Sequence, residues 1–437
     1  MSKRVFACVI LITSLILISA PGSPAASPAA EATYLVNSDQ DAPDAAPGNG
    51  ICATSFGNCT LRAAIQEANR DLMASKIKFA SKMTINGPTL EVLVEPFTVL
   101  DASDRWDGSW PSGRPGVIIS GGLYSNGLLE IRGDYAAVYG INFRGGGSIG
   151  IVVSYSRGTI IGGTEPGQRN AFTTSHNASG ASIGVEINNG AAETDIRSNY
   201  FGTFDGVNAI LNPGQYGVYL SSADNIVRQN IIVGHTIAGI NILLGNNNLI
   251  LENFIGTDEF QTSSLPNQVG VALFNSNENQ IGPYNRVYNN TQDGILVKNS
   301  DDNLVVGNDV RSNGGHGITL WGTNRSRVGL FIENKVISNS GDGIFVVFGG
   351  HNQVRFNSIS ENSQSGIRLE NTVNNAIGGV LEYEKNDIFK NGADGVRLST
   401  GAHTNTVSGN YIGFGASGAF DNGNLRHGVL VENGASD

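Results

Sequence analysis

The chain has 437 residues, of which 40% are hydrophobic and only 15% charged, with 58 glycines and a formal net charge of −11. That length supports a large core. The charge argues against nucleic acid as a partner and repels anionic polymers overall; local binding of a cation is a separate question that net charge does not decide.

Residues 1–30 read as a secretory signal. Lys3 and Arg4 precede an apolar run from Val5 to Ala20, short for a membrane span, and the small-residue stretch PGSPAASPAA follows. The alternative is an uncleaved anchor. No second segment is long and apolar enough to span a bilayer, so the mature chain is expected to be secreted or held at the cell surface. Cys8 leaves with the signal, and Cys52 and Cys59 remain. An even pair in an exported protein favours a disulfide. Two free thiols or a metal pair are the alternatives, and the absence of a nearby His argues against metal.

Residues 31–75 are expected to form an N-terminal cap and 76–437 the body. A short strand, Thr33 to Asn37, leads into an acid-rich loop. There Asp39, Asp41 and Asp44 are candidate Ca²⁺ ligands, against the alternative of a solvated loop. Leu61, Ala64, Ile65 and Ala68 then fall at i, i+3, i+4 and i+7. This predicts a helix with one apolar face and with Arg62, Gln66 and Glu67 mostly on the other. Such a helix, placed before a β array, suits the role of covering the open first rung.

The stretch NGICATSFGNCTLRAAIQEAN resembles the Cys-Ser-Leu-Arg-Glu-Ala motif near the N-terminus of secreted bacterial β-helix proteins. Here it reads Cys59-Thr60-Leu61-Arg62-Ala63-Ala64. The later IIGGTEPGQRN, residues 160–170, resembles a phrase common in the same proteins. The resemblance covers the whole mature chain. It implies export and an all-β, right-handed parallel β-helix of the pectin-lyase-like kind, and carries little about activity.

Residues 76–145 hold less regular strands and a long loop, DASDRWDGSWPSGRPG. Its Trp106 and Trp110 suit stacking on a sugar ring or packing the loop onto the body. From Gly150 onward a unit of Gly, Ile or Val, any residue and an aliphatic recurs with a floor near 22–24 residues. Period two sends its aliphatics to one face. Further segments bounded by asparagine follow, such as Asn225 to Asn230, Asn303 to Asn308, and Asn352 to Asn357 to Asn362. Three short strands per coil predict a triangular solenoid. Asparagines at successive corners would form hydrogen-bonded ladders, and Asn and Gly would hold the left-handed corner backbone. A β-propeller, which needs roughly 40 or more residues per blade, does not fit this spacing. The insertions at 201–216, 254–269 and 411–427 are expected to protrude from one edge and shape a binding surface. No C-terminal cap is visible, so the last coil is expected to meet a partner chain or further sequence.

Aligning coils by their glycines puts Asp293, His316 and Asp342 at one offset in successive coils. A carboxylate on each side would favour the imidazolium, an arrangement suited to acid/base work on a glycosidic bond. Asp-Gly and His-Gly are equally good corner turns. The outward rows read Thr319, Phe345, Arg368, Arg397 and Phe274, Lys298, Trp321, Val347, Glu370. Trp321, Phe345, Arg368 and Arg397 are therefore candidate ligand-binding residues for an acidic sugar chain, with packing and a solvated face as alternatives.

Gln292-Asp293-Gly294 and Gly315-His316-Gly317 resemble motifs of the polygalacturonase-type hydrolases. The family's second Asp stands here as Gly294, and Phe345-Val346-Val347 occupies the place of its Arg-Ile-Lys. Lyases of this fold use Ca²⁺, for which Asp293, Asp301, Asp302 and Asp342 are candidate ligands. Two functions result: a non-enzymatic β-helix that binds a polysaccharide or surface partner, or a polysaccharide lyase or hydrolase acting near residues 293–345.

Overall fold

The computed structural model describes residues 32–71, 73–87, 90–108, 113–121, 127–145, 149–173, 182–210, 213–413 and 422–436. The expected signal, Cys8 and Trp110 lie outside these residues. Within them, strands wind into three parallel sheets of 14, 13 and 12 strands, each strand pairing with its counterpart one coil away. The first sheet starts at Ala32–Val36, the second at Met83–Asn86 and the third at Leu129–Ile131. One coil runs through Val269–Phe274 in the third sheet, Gln280–Ile281 in the first and Arg286–Tyr288 in the second. It then re-enters the third sheet at Ile295–Lys298. At about 4.8 Å per rung the first sheet is roughly 60 Å long.

Alternation fills the interior. Ile295, Val297, Ile318, Leu320, Ile344 and Val346 are fully buried and stack rung upon rung. Each such side chain contributes about 1.5–3 kcal/mol by leaving water. In the early coils Phe143, Phe172 and Phe201 stack at centroid distances of 5.3 and 4.6 Å.

The repeat glycine is a steric requirement. A Cβ on Gly294 would lie 2.5 Å from Val310 Cγ1 and 2.7 Å from the carbonyl oxygen of Gly317. The same clash with the next coil's glycine carbonyl recurs from Gly150 to Gly395. The side-chain position is filled there by the next coil's backbone and by a second-sheet side chain.

Three asparagine ladders run along the corners. One continues from Asn170 through Asn230, Asn285 and Asn357 to Asn410, each Nδ2 donating to the next Oδ1 at about 3 Å. A second runs from Asn225 to Asn405, with Ser326 as one rung. A third runs from Asn267 to Asn424. The left-handed backbone sits one residue earlier than expected. Gln229, Glu252, Asp302, Ser312 and Phe356, each just before a ladder Asn, have φ between 54° and 58°. The ladder asparagine itself turns inward, where its Nδ2 gives a second hydrogen bond to backbone carbonyls such as those of Ile250 and Ile281, which also accept a backbone N–H from the next coil.

Helix α1, Leu61–Ala68, packs on the strands Ala32–Val36 and Ser75–Phe79 and joins the core through Leu61, Ala64, Ile65 and Ala68. The expected polar face is not exposed: Gln66 and Glu67 are buried, and only Arg62 reaches solvent. The loop before the helix folds over it. Glu67 accepts the N–H groups of Gly48 and Gly50 at 2.8 and 2.9 Å, and Gln66 Oε1 accepts that of Asp44. Thr60 caps the helix, and a disulfide joins Cys52 to Cys59.

Candidate functional site

The register confirms the alignment of the two outward rows on the third sheet. Thr319 pairs with Phe345, Phe345 with Arg368 and Arg368 with Arg397; Phe274 pairs with Lys298, Lys298 with Trp321 and Trp321 with Val347. The parallel register keeps side chains of one row about 4.8 Å apart.

Trp321 is 39% exposed, with Lys298 Nζ 4.9 Å from its ring centroid and Phe348 at 5.5 Å. Phe345 lies between the His316 ring at 4.8 Å and the Arg368 guanidinium at 5.1 Å. The two arginines are already paired. Arg368 binds Glu370, and Arg397 Nε donates to Glu432 at 2.7 Å. Lys298, which the sequence does not single out, is the cation seated on the exposed indole.

Asp293, His316 and Asp342 stand in line but do not meet as a ring between two carboxylates. Asp293 accepts the backbone N–H of His316 and the Thr319 hydroxyl, each at 2.8 Å. Asp342 donates its own N–H to His316 Nδ1 at 2.9 Å, and its Oδ1 accepts the N–H of Ser365 at 2.9 Å. Asp342 Oδ2 lies 3.4 Å from His316 Nδ1 and 4.0 Å from Arg368, with no hydrogen-bond partner among the described residues. Asp394 repeats the arrangement further on, accepting from His427 N–H at 3.2 Å and lying 2.7 Å from His427 Nδ1. The offset before the glycine is thus a run of side chain-to-backbone contacts between coils. Burial pushes the Asp342 carboxyl above its ordinary value, with His316, the Ser365 N–H and the two arginines pulling the other way. At 1% exposure it does not reach the surface; His316, about a quarter exposed, does.

Most of the candidate metal ligands are engaged elsewhere. Asp301 and Asp302 both face Arg325 at 3.5 and 2.6 Å, and Asp41 pairs with Arg62. Asp39 is exposed, whereas Asp44 is buried and accepts the N–H groups of Ala46 and Ala53. Among the described residues no three or more acids, histidines or cysteines gather as a metal site. Trp106 packs against Ala171, Tyr200, Ile231 and Val233, so it serves the loop's packing. The insertions at 203–210 and 256–268 both leave the corner between second and third sheets, each closed by an antiparallel bridge, Thr203 to Ala209 and Thr257 to Ser264. Among the described residues no helix is long and apolar enough to cross a membrane.

Among solved structures, the Dettilon tailspike protein is similar at 15% identity and a TM-score of 0.46, covering 85% of this chain. This chain spans 64% of the tailspike chain's length. The periplasmic alginate epimerase AlgG is similar at 13% identity and a TM-score of 0.38, over 84% of this chain and 80% of its own. A DFA-IIIase from Arthrobacter chlorophenolicus is similar at 16% identity and a TM-score of 0.38, over 74% and 82%. Curated proteins yield no match. Identities this low leave substrate and chemistry to this chain's own residues. The model of the right-handed β-helix region matches residues 126–330 and 270–436, and with parallel coils throughout, the chain belongs to that family.

Proposed function

We propose that this chain is a secreted or cell-surface β-helix that binds a polysaccharide along its third sheet. The observation that carries the reading is the exposed indole of Trp321 with Lys298 seated on it and Phe345 one rung away in the adjacent row. An aromatic face offers a sugar ring apolar C–H contact, and the flat parallel rows offer further contact along a chain. The pairing of Arg368 with Glu370 and of Arg397 with Glu432 removes most of the positive charge, so the face suits a neutral sugar better than an acidic one. Export is part of the reading: it rests on the N-terminal sequence and on a disulfide, which persists in oxidising surroundings. Binding to a glycan array, compared between wild type and Trp321→Ala, is the test. Loss of about tenfold in affinity for the best neutral glycan is expected; unchanged affinity removes this face from the function.

A second reading, polysaccharide cleavage, rests on His316, whose Nδ1 is held by the Asp342 N–H while the ring remains accessible. In it Nε2 would act as the acid or base and Asp342 would be a positioning residue. Incubation with a polysaccharide panel, with and without Ca²⁺, tests it by the appearance of reducing ends or unsaturated products. Activity that survives His316→Ala would sink the assignment.

A further inference from the structure

Far from the Trp321 face, the second sheet carries a cleft of 750 Å³ at its N-terminal end. Its floor includes Ile118 and Asn142, paired in adjacent rungs. One wall is the short antiparallel pair of Trp106–Asp107 with Arg114–Pro115, and the other is Phe204 and Ile210 of the loop between second and third sheets. Lys82, Arg114 and Arg144 line it, and among the described residues Asp107 is the only acid that does. A chain of net charge −11 therefore gathers three cations against one acid in one concavity. At a Debye length of about 8 Å in physiological salt, a ligand inside feels these groups more than the distant acids.

The remaining chemistry is that of a saccharide site. Arg114 lies 5.7 Å from the Phe204 ring centroid, joining a charge to an apolar face. Asn142 is 8% exposed and accepts the Thr173 hydroxyl at 2.8 Å. Its Nδ2 has no acceptor among the described residues, which leaves a fixed donor at the cleft floor. Lys82 and Arg114 both reach Asp107, at 2.6 and 3.6 Å. Asp107 thereby orients the two cations and occupies them in the absence of an anionic ligand. The volume falls in the range of small-ligand pockets and far exceeds a single inorganic anion.

We infer that this cleft is a second binding site, for a short anionic oligosaccharide whose carboxylates or sulfates engage Arg114, Arg144 and Lys82 while a ring lies against Phe204. The inference is independent of the third-sheet reading. The test is calorimetric titration of the full chain with a tetrasaccharide of uronic acid, a sulfated tetrasaccharide, a neutral tetrasaccharide and inorganic sulfate. At least one of the two anionic sugars should bind, more weakly as salt rises, and the neutral sugar should not bind in the cleft. The double variant Arg114→Ala/Arg144→Ala should lose about tenfold or more in affinity. Asp107→Asn should gain several-fold, a result that misfolding cannot mimic, and Trp321→Ala should change nothing. Neither anionic sugar binding, sulfate competing at equal concentration, or affinity unmoved in both cleft variants would each overturn the proposal.

Discussion

The backbone N–H of Asp342 donates to Nδ1 of His316 across 2.9 Å. The bond fixes the orientation of the ring across two coils and leaves its outer edge about a quarter exposed. The same carboxyl-bearing residue leaves Oδ2 buried and without a hydrogen-bond partner among the described residues.

Asp342→Asn should therefore stabilise the protein at neutral pH. The folded-state carboxyl is raised above 3.8 by burial. Stability associated with its protonated form is present below pH 3.8 and is lost as pH rises through the folded value. Asn keeps an acceptor for Ser365 N–H and adds no charge. A gain on the order of 1 kcal/mol at pH 7 is expected, since a buried, desolvated charge is removed, and it should shrink toward zero near pH 3.8. Urea unfolding at the two pH values checks this; destabilisation at both would contradict it.

His235 heads the third asparagine ladder, donating its N–H to Asn267 at 3.0 Å. Its ring is wholly buried, with Nε2 unpartnered among the described residues, and burial pushes it down from 6.5 to about 4. Stability is thus full above pH 6.5 and falls as pH drops toward 4, because only the unfolded chain takes the proton. The loss reaches about 3 kcal/mol below pH 4. His235→Asn extends the ladder and should flatten the stability profile between pH 6.5 and 4, as read from thermal melts across that range.

Gly294→Ala should cost about 3 kcal/mol, because the added methyl meets a backbone carbonyl and Val310 rather than a movable chain end. Gly190→Ala, at a glycine with open space but φ of +75°, should cost about 1 kcal/mol. Equal losses in chemical denaturation would show that the repeat glycines serve conformation and not fit.

Asn308 donates to Ile281 and Asn334 and accepts from Asn285, at 2.9, 3.1 and 2.9 Å. Asn308→Ala removes these buried hydrogen bonds together, although each partner keeps one other bond, and should cost roughly 2–4 kcal/mol. Asn410, at the end of the same ladder and partly exposed, should cost roughly 1 kcal/mol when changed to Ala. A uniform cost along the ladder would contradict this gradient.

Much of this architecture is legible in the residues. The spacing of Gly294, Gly317 and Gly343 predicts the rungs, and the rows through Lys298, Trp321 and Phe345 follow from it. Glu67 shows where the reading stops. Helical period assigns it to the polar face, yet the folded loop buries it and uses its carboxylate to hold Gly48 and Gly50. His316 shows the same limit in the candidate site. Sequence offset places it between two acids, but offset says nothing of whether a carboxylate reaches a ring or a backbone N–H.

By itself the sequence determined the coil, since a period-two pattern repeated at fixed spacing can bury its aliphatics only by stacking rung on rung. It also determined the two ladders marked by Asn225 and Asn230, because like amides recur at like corners. Only the tertiary structure decided which charges are matched by acids and which outnumber them. Arg368 and Arg397 find acids within reach, whereas Lys82, Arg114 and Arg144, up to 62 residues apart in the chain, converge on one cleft with a single acid among the described residues. Electrostatic partnership depends on through-space distance at a few ångströms, which periodicity leaves open.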